Sequence, residues 1–151
     1  MGDWADHITT VFTDVRLKRF LEMRGADAGS PAMMVAQSAF WVGLIYDDAA
    51  QKAAAALIRD WTVPQMQALR LAVPEQALTA TIAGRSLQDV ARDVVAISRS
   101  GLRARGLGEE VYLDVLDEVV ASGMTQADRW LARYNGAWAG DVSRIFAEAA
   151  V

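Results

Sequence analysis

Between Val15 and Arg24 the chain alternates in the manner of an extended backbone. The even positions are Arg16, Lys18, Phe20, Glu22 and Arg24, while the odd ones include Leu17, Leu21 and Met23. Alternate residues of a strand share a face, so one side is charged and the other largely apolar, with Arg19 and Phe20 as exceptions. The run Gly25-Ala26-Asp27-Ala28-Gly29-Ser30-Pro31 then closes the strand with turn formers. No second convincing strand follows. A lone strand leaves its backbone donors and acceptors without partners. It therefore pairs with another molecule, or it belongs to a sheet whose other strands lie outside this chain.

From Ala32 to Ala149 the pattern is helical. Ala32–Tyr46 is apolar nearly all round, which predicts a buried helix. Asp47 or Asp48 caps the next, Ala49–Arg59, and alanine dominates it. Thr62-Val63-Pro64-Gln65 begins another, which Pro74 should interrupt. Ser86 and Asp89 form a capping-box-like start to Leu87–Arg105, where Leu87, Val90, Ala91, Val94, Ile97 and Leu102 fall at near-helical spacing. Gly106 ends that helix, Glu109–Ala121 follows, and Thr125 caps Gln126–Tyr134. A short helix over Val142–Ala149 closes the chain. The expected class is mainly α: one N-terminal strand (15–24) and a helical array (32–149) in a single unit over residues 1–151.

Composition narrows the function. The 151 residues are 53% hydrophobic and 23% charged, with a net charge of −4. An acidic balance argues against general nucleic-acid binding, which needs a basic surface. The absence of cysteine removes disulfides, zinc–thiolate sites and catalytic thiols. The longest clear apolar run, Ala39–Tyr46, is far short of the roughly 20 residues of a membrane-spanning helix. The opening residues lack the basic start and apolar stretch of a signal peptide, so a cytoplasmic location is expected.

Six segments, in order, resemble glutamate–cysteine ligases of the type found in many proteobacteria and plants. They are DWADHITTVFTDVRLKRFLEMRGAD (3–27), AFWVGLIYDD (39–48), RDWT (59–62), GRSLQDVARDVVAISRSGLRARG (84–106), YLDVLDEVVASGMTQAD (112–128) and YNGAWAGDVSRIF (134–146). The resemblance implies the C-terminal portion of a glutamine synthetase-like α+β fold. It also implies an enzyme that uses ATP and Mg2+ to phosphorylate glutamate and joins it to cysteine, the first step of glutathione synthesis. The partner it implies is the N-terminal sheet portion of the same enzyme, without which the chain is expected to be inactive. Two stretches depart from the pattern: Ala28–Met34 after the turn, and the Ala149-Ala150-Val151 ending.

Within that resemblance, Glu22, Arg24 and Asp27 match a Glu-x-Arg-x-x-Asp pattern. Glu22 is implied as a magnesium ligand, Arg24 as the catalytic cation on the phosphoryl group or glutamate, and Asp27 as a residue of the substrate- and phosphate-binding set that orients the loop or Arg24. Lys18 and Arg16 share the charged face, where they either extend the substrate- and phosphate-binding site, Lys18 foremost, or serve as basic edge-strand residues that resist aggregation. On spacing alone, a carboxylate and a guanidinium two residues apart converge on one anion, although an ordinary solvated ion pair fits the same spacing.

Other polar and aromatic features read as structural. His7 is expected at the surface or as a cap. Trp41, Tyr46, Trp61, Trp130, Tyr134 and Trp138 are expected in the core. Arg99, Arg103 and Arg105 lie late in a helix, where cations suit the dipole and solvent. Two further readings stand beside the ligase: a related carboxylate–amine ligase with another amine, and a non-catalytic helical module that docks by strand addition. An unpaired amphipathic strand also predicts self-association.

Overall fold

The computed structural model describes residues 2–9 and 13–149. The last two residues of the Ala149-Ala150-Val151 ending lie outside them. A helix α1 (Gly2–Thr9) precedes two three-residue strands, β1 (Val15–Leu17) and β2 (Leu21–Met23). They pair antiparallel, with Val15 opposite Met23, Arg16 opposite Glu22 and Leu17 opposite Leu21. The expected lone strand over 15–24 is thus corrected: the chain reverses at Lys18-Arg19-Phe20 and pairs with itself. Arg24 extends the pairing by donating its backbone N–H to the Asp14 carbonyl at 2.8 Å.

The hairpin answers the question of where the strand's hydrogen bonds go, and it removes the premise for strand addition by an unpaired strand. It does not hide the apolar side. Leu17 is 79% exposed and Leu21 54%.

The helices follow the caps written in the sequence. Ser30 accepts from Met33 N at 3.3 Å and starts α2 (Pro31–Ile45) with proline in the first turn. Asp47 accepts from Ala50 N at 2.8 Å and starts α3 (Asp48–Ile58). Thr62 and Gln65 close a capping box at the start of α4 (Val63–Gln76). Pro74 does not break α4 where expected; the helix runs two residues beyond it. A proline deletes one backbone donor and crowds the preceding turn, which is least costly near a C-terminus that ends anyway. Ala77 then takes φ 46° and stops the helix.

A second hairpin, β3 (Thr81–Ile82) and β4 (Arg85–Ser86), turns through Ala83 and Gly84, both at positive φ. No strand was expected there. Ser86 caps α5 (Leu87–Arg105), which ends as expected at Gly106 with φ 70°. The Glu109–Ala121 helix divides into a 3-10 turn (Glu109–Leu113) and α6 (Asp114–Ser122). Thr125 and Asp128 box the start of α7 (Gln126–Asn135). The last segment is a 3-10 turn followed by α8 (Ile145–Glu148). The fold is mostly helical with two small antiparallel sheets, which agrees with the mainly α expectation but not with a single strand.

Packing centres on α5, against which α2, α3 and α6 all lie. Leu102 and Leu113 are fully buried and meet Ala39, with Phe40, Val42 and Leu116 around them. Each such leucine contributes about 1.5–3 kcal/mol by leaving water. Where α2 crosses α5, Gly43 and Gly101 bring the backbones together. A Cβ on Gly101 would fall inside the radius of the Gly43 carbonyl oxygen. Ser98, also buried, donates its hydroxyl to the Phe40 carbonyl at 2.8 Å across the same crossing.

Only part of the aromatic set lies in the core. Trp138 is buried, Trp41, Trp61 and Trp130 are half-buried, and Tyr46 and Tyr134 are exposed. Similarly, α2 is buried at Ala36, Ala39, Gly43 and Leu44 but shows Met34 and Val35 to solvent. A helix apolar on every side needs cover on every side. Among the described residues, that cover reaches only part of α2.

Candidate functional site

The hairpin places its charged residues on one side. Arg16 and Glu22 are register partners, and side chains directly opposite in an antiparallel pair stand close together. Arg16 Nε donates to Glu22 Oε2 at 2.8 Å, and its Nη2 lies 2.7 Å from the same oxygen. Lys18 Nζ is 3.6 Å from that oxygen and lies over the Phe20 ring at 5.9 Å. Arg24, half-buried just beyond β2, follows Glu22 by two residues and adds a third positive charge to its field.

Those charges have a measurable consequence for Glu22. The hydrogen bond from Arg16 holds its carboxyl below the ordinary glutamate value, and the charges of Arg16, Lys18 and Arg24 act in the same direction. Partial burial opposes them. Glu22 is therefore an anion at neutral pH, surrounded by cations whose sum exceeds its own charge by two.

Asp27 is not brought into this group. It is exposed in the loop beyond β2, and its Oδ1 accepts the backbone N–H of Ala28 at 2.7 Å. It shapes the loop and lies on the rim of a cleft instead. Among the expected site residues, Glu22, Arg24 and Lys18 come together, and Asp27 stands apart. Arg16 is the main partner of Glu22. Alternation placed it on the correct face, but its role as the direct partner depends on the reversal at residues 18–20.

The group has one carboxylate to offer a metal. Among the described residues, no three His, Cys, Asp or Glu side chains cluster as a metal cage. Magnesium, however, is commonly held by one or two carboxylates together with substrate phosphates and waters. The donor set fits an ion shared with a nucleotide, not one caged by this chain alone.

Behind the loop 25–29 opens a cleft of about 760 Å³ between α2, α5, α6 and the start of α7. Phe40, Trp41, Val94, Leu116 and Trp130 are among its walls, and Asp27 is the one charged lining residue among the described residues.

The remaining candidates have structural partners. His7 is exposed in the last turn of α1, 5.9 Å from the Trp4 ring. Arg99 is not a solvated end-of-helix cation. It donates to the Glu110 carbonyl at 2.7 Å and pairs with Asp114 at 3.1 Å and Asp117 at 2.5 Å. Arg105 pairs with Glu109 at 2.9 Å and lies over Tyr46. No described helix is long and apolar enough to cross a membrane.

Comparison with known proteins gives the chain a family. Residues 1–148 match the model of glutamate–cysteine ligase family 2. A chloroplastic glutamate–cysteine ligase of Arabidopsis thaliana is 44% identical over 147 residues, covering 97% of this chain and 28% of the relative. That of Nicotiana tabacum is 40% identical over 148 residues, covering 98% and 28%. The chloroplastic glutamate–cysteine ligase A of Oryza sativa subsp. indica is 39% identical over 148 residues, covering 98% and 30%. The chain thus spans under a third of the length of these relatives. They are named as chloroplastic proteins, which overturns the cytoplasmic expectation. That expectation rested on the first residues of a chain which matches only part of its relatives.

Proposed function

The chain belongs to glutamate–cysteine ligase family 2, and from that premise we propose that it is the C-terminal portion of an ATP-dependent ligase joining glutamate to cysteine. The observation that carries this reading is the match of residues 1–148 to the family, with relatives at 39–44% identity across nearly the whole chain. The charged face of the hairpin suits the chemistry. Phosphoryl transfer to a carboxylate gathers negative charge, and fixed cations aimed at that charge are the usual stabilisers.

In this reading Arg24 contacts the phosphoryl group or the glutamate, and Lys18 adds charge at the edge of the same site. Glu22 contributes one oxygen to a magnesium ion that enters with ATP. When bound, magnesium neutralises phosphate charge. Arg16 keeps the Glu22 carboxylate ionised and oriented. The chain supplies one charged face, and the remaining part of a sheet, in a glutamine synthetase-like fold, supplies the other metal and nucleotide ligands.

The test is a chimera in which this chain replaces the matched 147 residues of the Arabidopsis relative. With ATP, magnesium, glutamate and cysteine it should form γ-glutamylcysteine and release phosphate. Glu22→Ala or Arg24→Ala should abolish that turnover, while the isolated 151-residue chain should show none. Ordinary turnover by the isolated chain, or full activity in both variants, would refute the reading.

A further inference from the structure

The cleft behind the loop 25–29 is unlike the hairpin face in chemistry. Its walls include Met33, Phe40, Trp41, Val94, Leu116 and Trp130, and among the described residues no lysine, arginine or glutamate lines it. Asp27 stands at the rim, with Gln37, Thr125 and Gln126 as the other polar groups. A nucleotide's phosphates find no cation in this cleft among the described residues, so it does not suit a second nucleotide. Yet leaving this much contiguous apolar surface in water is unfavourable, and such patches mark contact with another molecule.

Two observations say which molecule. The relatives devote 70–72% of their length to polypeptide that this chain does not match, since the matched part is 28–30% of each. The cleft is also continuous with the candidate site, because the loop leaving β2 forms one of its rims. A partner that completes the hairpin face would therefore meet the loop that borders the cleft. A second copy fits less well. Across a two-fold axis each copy would have to insert an apolar projection into the other's cleft and receive one in return.

We infer that the cleft between α2, α5, α6 and α7 seats an apolar segment from the portion of the ligase that this chain does not span. The inference rests on the proposed ligase reading. It adds a second contact, apolar and bordered by the loop that leaves the charged hairpin, by which the two portions hold together. The segment buries apolar side chains against Trp41 and Trp130 and leaves Asp27 and Gln126 at the wet margin. This arrangement has the dry centre and polar rim of a stable interface.

The chain has no cysteine, so an introduced thiol is a unique probe within it. Ala91→Cys on α5 and Ala127→Cys on α7 line the cleft, while Lys52→Cys on α3 is exposed outside it. Each is made in the isolated chain and in the full-length chimera, and maleimide labelling of the corresponding peptide is followed by mass spectrometry. The expected result is that positions 91 and 127 react about tenfold or more slowly in the chimera, as for a site reached only through local opening. Position 52 should react equally in both. Unchanged labelling at 91 and 127 in a chimera that makes γ-glutamylcysteine would overturn the inference and leave the ligase reading intact. Protection at both positions in a chimera without turnover would fault the catalytic reading and not the cleft. Protection already present in the isolated chain and lost on dilution would assign the cleft to a second copy and overturn the inference.

Discussion

Arg16 and Glu22 face each other across a two-stranded hairpin, with two guanidinium nitrogens 2.8 and 2.7 Å from one carboxylate oxygen. This contact holds the Glu22 carboxyl below its ordinary value. Replacing Arg16 by Ala removes the largest cause and should move the Glu22 titration upward toward the ordinary glutamate range. Side-chain carboxyl carbon shifts followed by NMR across acid pH would check it. An unmoved midpoint would mean that Lys18 and Arg24 set the value without Arg16.

The crossing of α2 and α5 makes a steeper prediction. Alanine is favoured over glycine within a helix by about 1 kcal/mol. At Gly101 the added Cβ would collide with the carbonyl of Gly43, which is backbone and cannot step aside. Gly101→Ala should therefore destabilise the chain by about 2 kcal/mol or more in urea unfolding, in spite of propensity. Ser100→Ala, exposed on the same helix, should be neutral or slightly stabilising.

Acid should loosen the helix starts before it reaches the core. Asp89 is held below the ordinary aspartate value first by the Ser86 hydroxyl, Asp128 by that of Thr125, and Asp141 by that of Ser143. A lowered native pKa means that the stabilisation is complete above the unfolded value of about 3.9 and is lost as pH falls through the native value. Helical circular dichroism during mild urea unfolding should be level near neutrality and decline below about pH 4. The triple Asn variant at 89, 128 and 141 should show a flatter profile.

Near the C-terminus, Trp138 stacks on Trp130 at 5.6 Å and donates its indole N–H to Glu148 at 2.6 Å, while Arg133 pairs with the same carboxylate. Trp138→Phe keeps most of the apolar bulk and deletes the donor. A hydrogen bond to a charged group contributes about 1.5–3 kcal/mol. Amide exchange over Ile145–Ala149 should speed up accordingly, with α5 unaffected. Equal acceleration in α5 would mean that the indole supports the whole core.

The best-read elements carried their own punctuation. Ser86, Asp89 and Gly106 bound α5 on both sides, and Thr125 announced α7. The hairpin was missed because Lys18-Arg19-Phe20 has no glycine, proline or asparagine to mark a reversal. Its three-residue connection also preserves the parity of the alternation. Residues 16, 22 and 24 therefore share a side whether the chain runs straight or turns back. That is why the charged face was legible and the direct Arg16 partnership was not. β3 and β4 are two residues each, too short for any period to register. The cleft was beyond reach for another reason: it is assembled from four helices and a loop, and each contributes apolar residues that look alike in sequence.

The hairpin has one more consequence. Its substantial packing is strand against strand, joined to α4 by an Asp14–Arg70 contact at 3.7 Å. Two short strands without a helix behind them are marginal by themselves. The residues proposed to meet the phosphoryl group thus ride on a lightly supported hairpin, away from the helices packed around α5. Geometry at Glu22 and Arg24 then becomes a late acquisition, completed as the hairpin is taken into a larger sheet. An unassembled portion of the ligase would carry its charged residues in register on the hairpin but without the rest of the site, and could not commit ATP to an unproductive reaction.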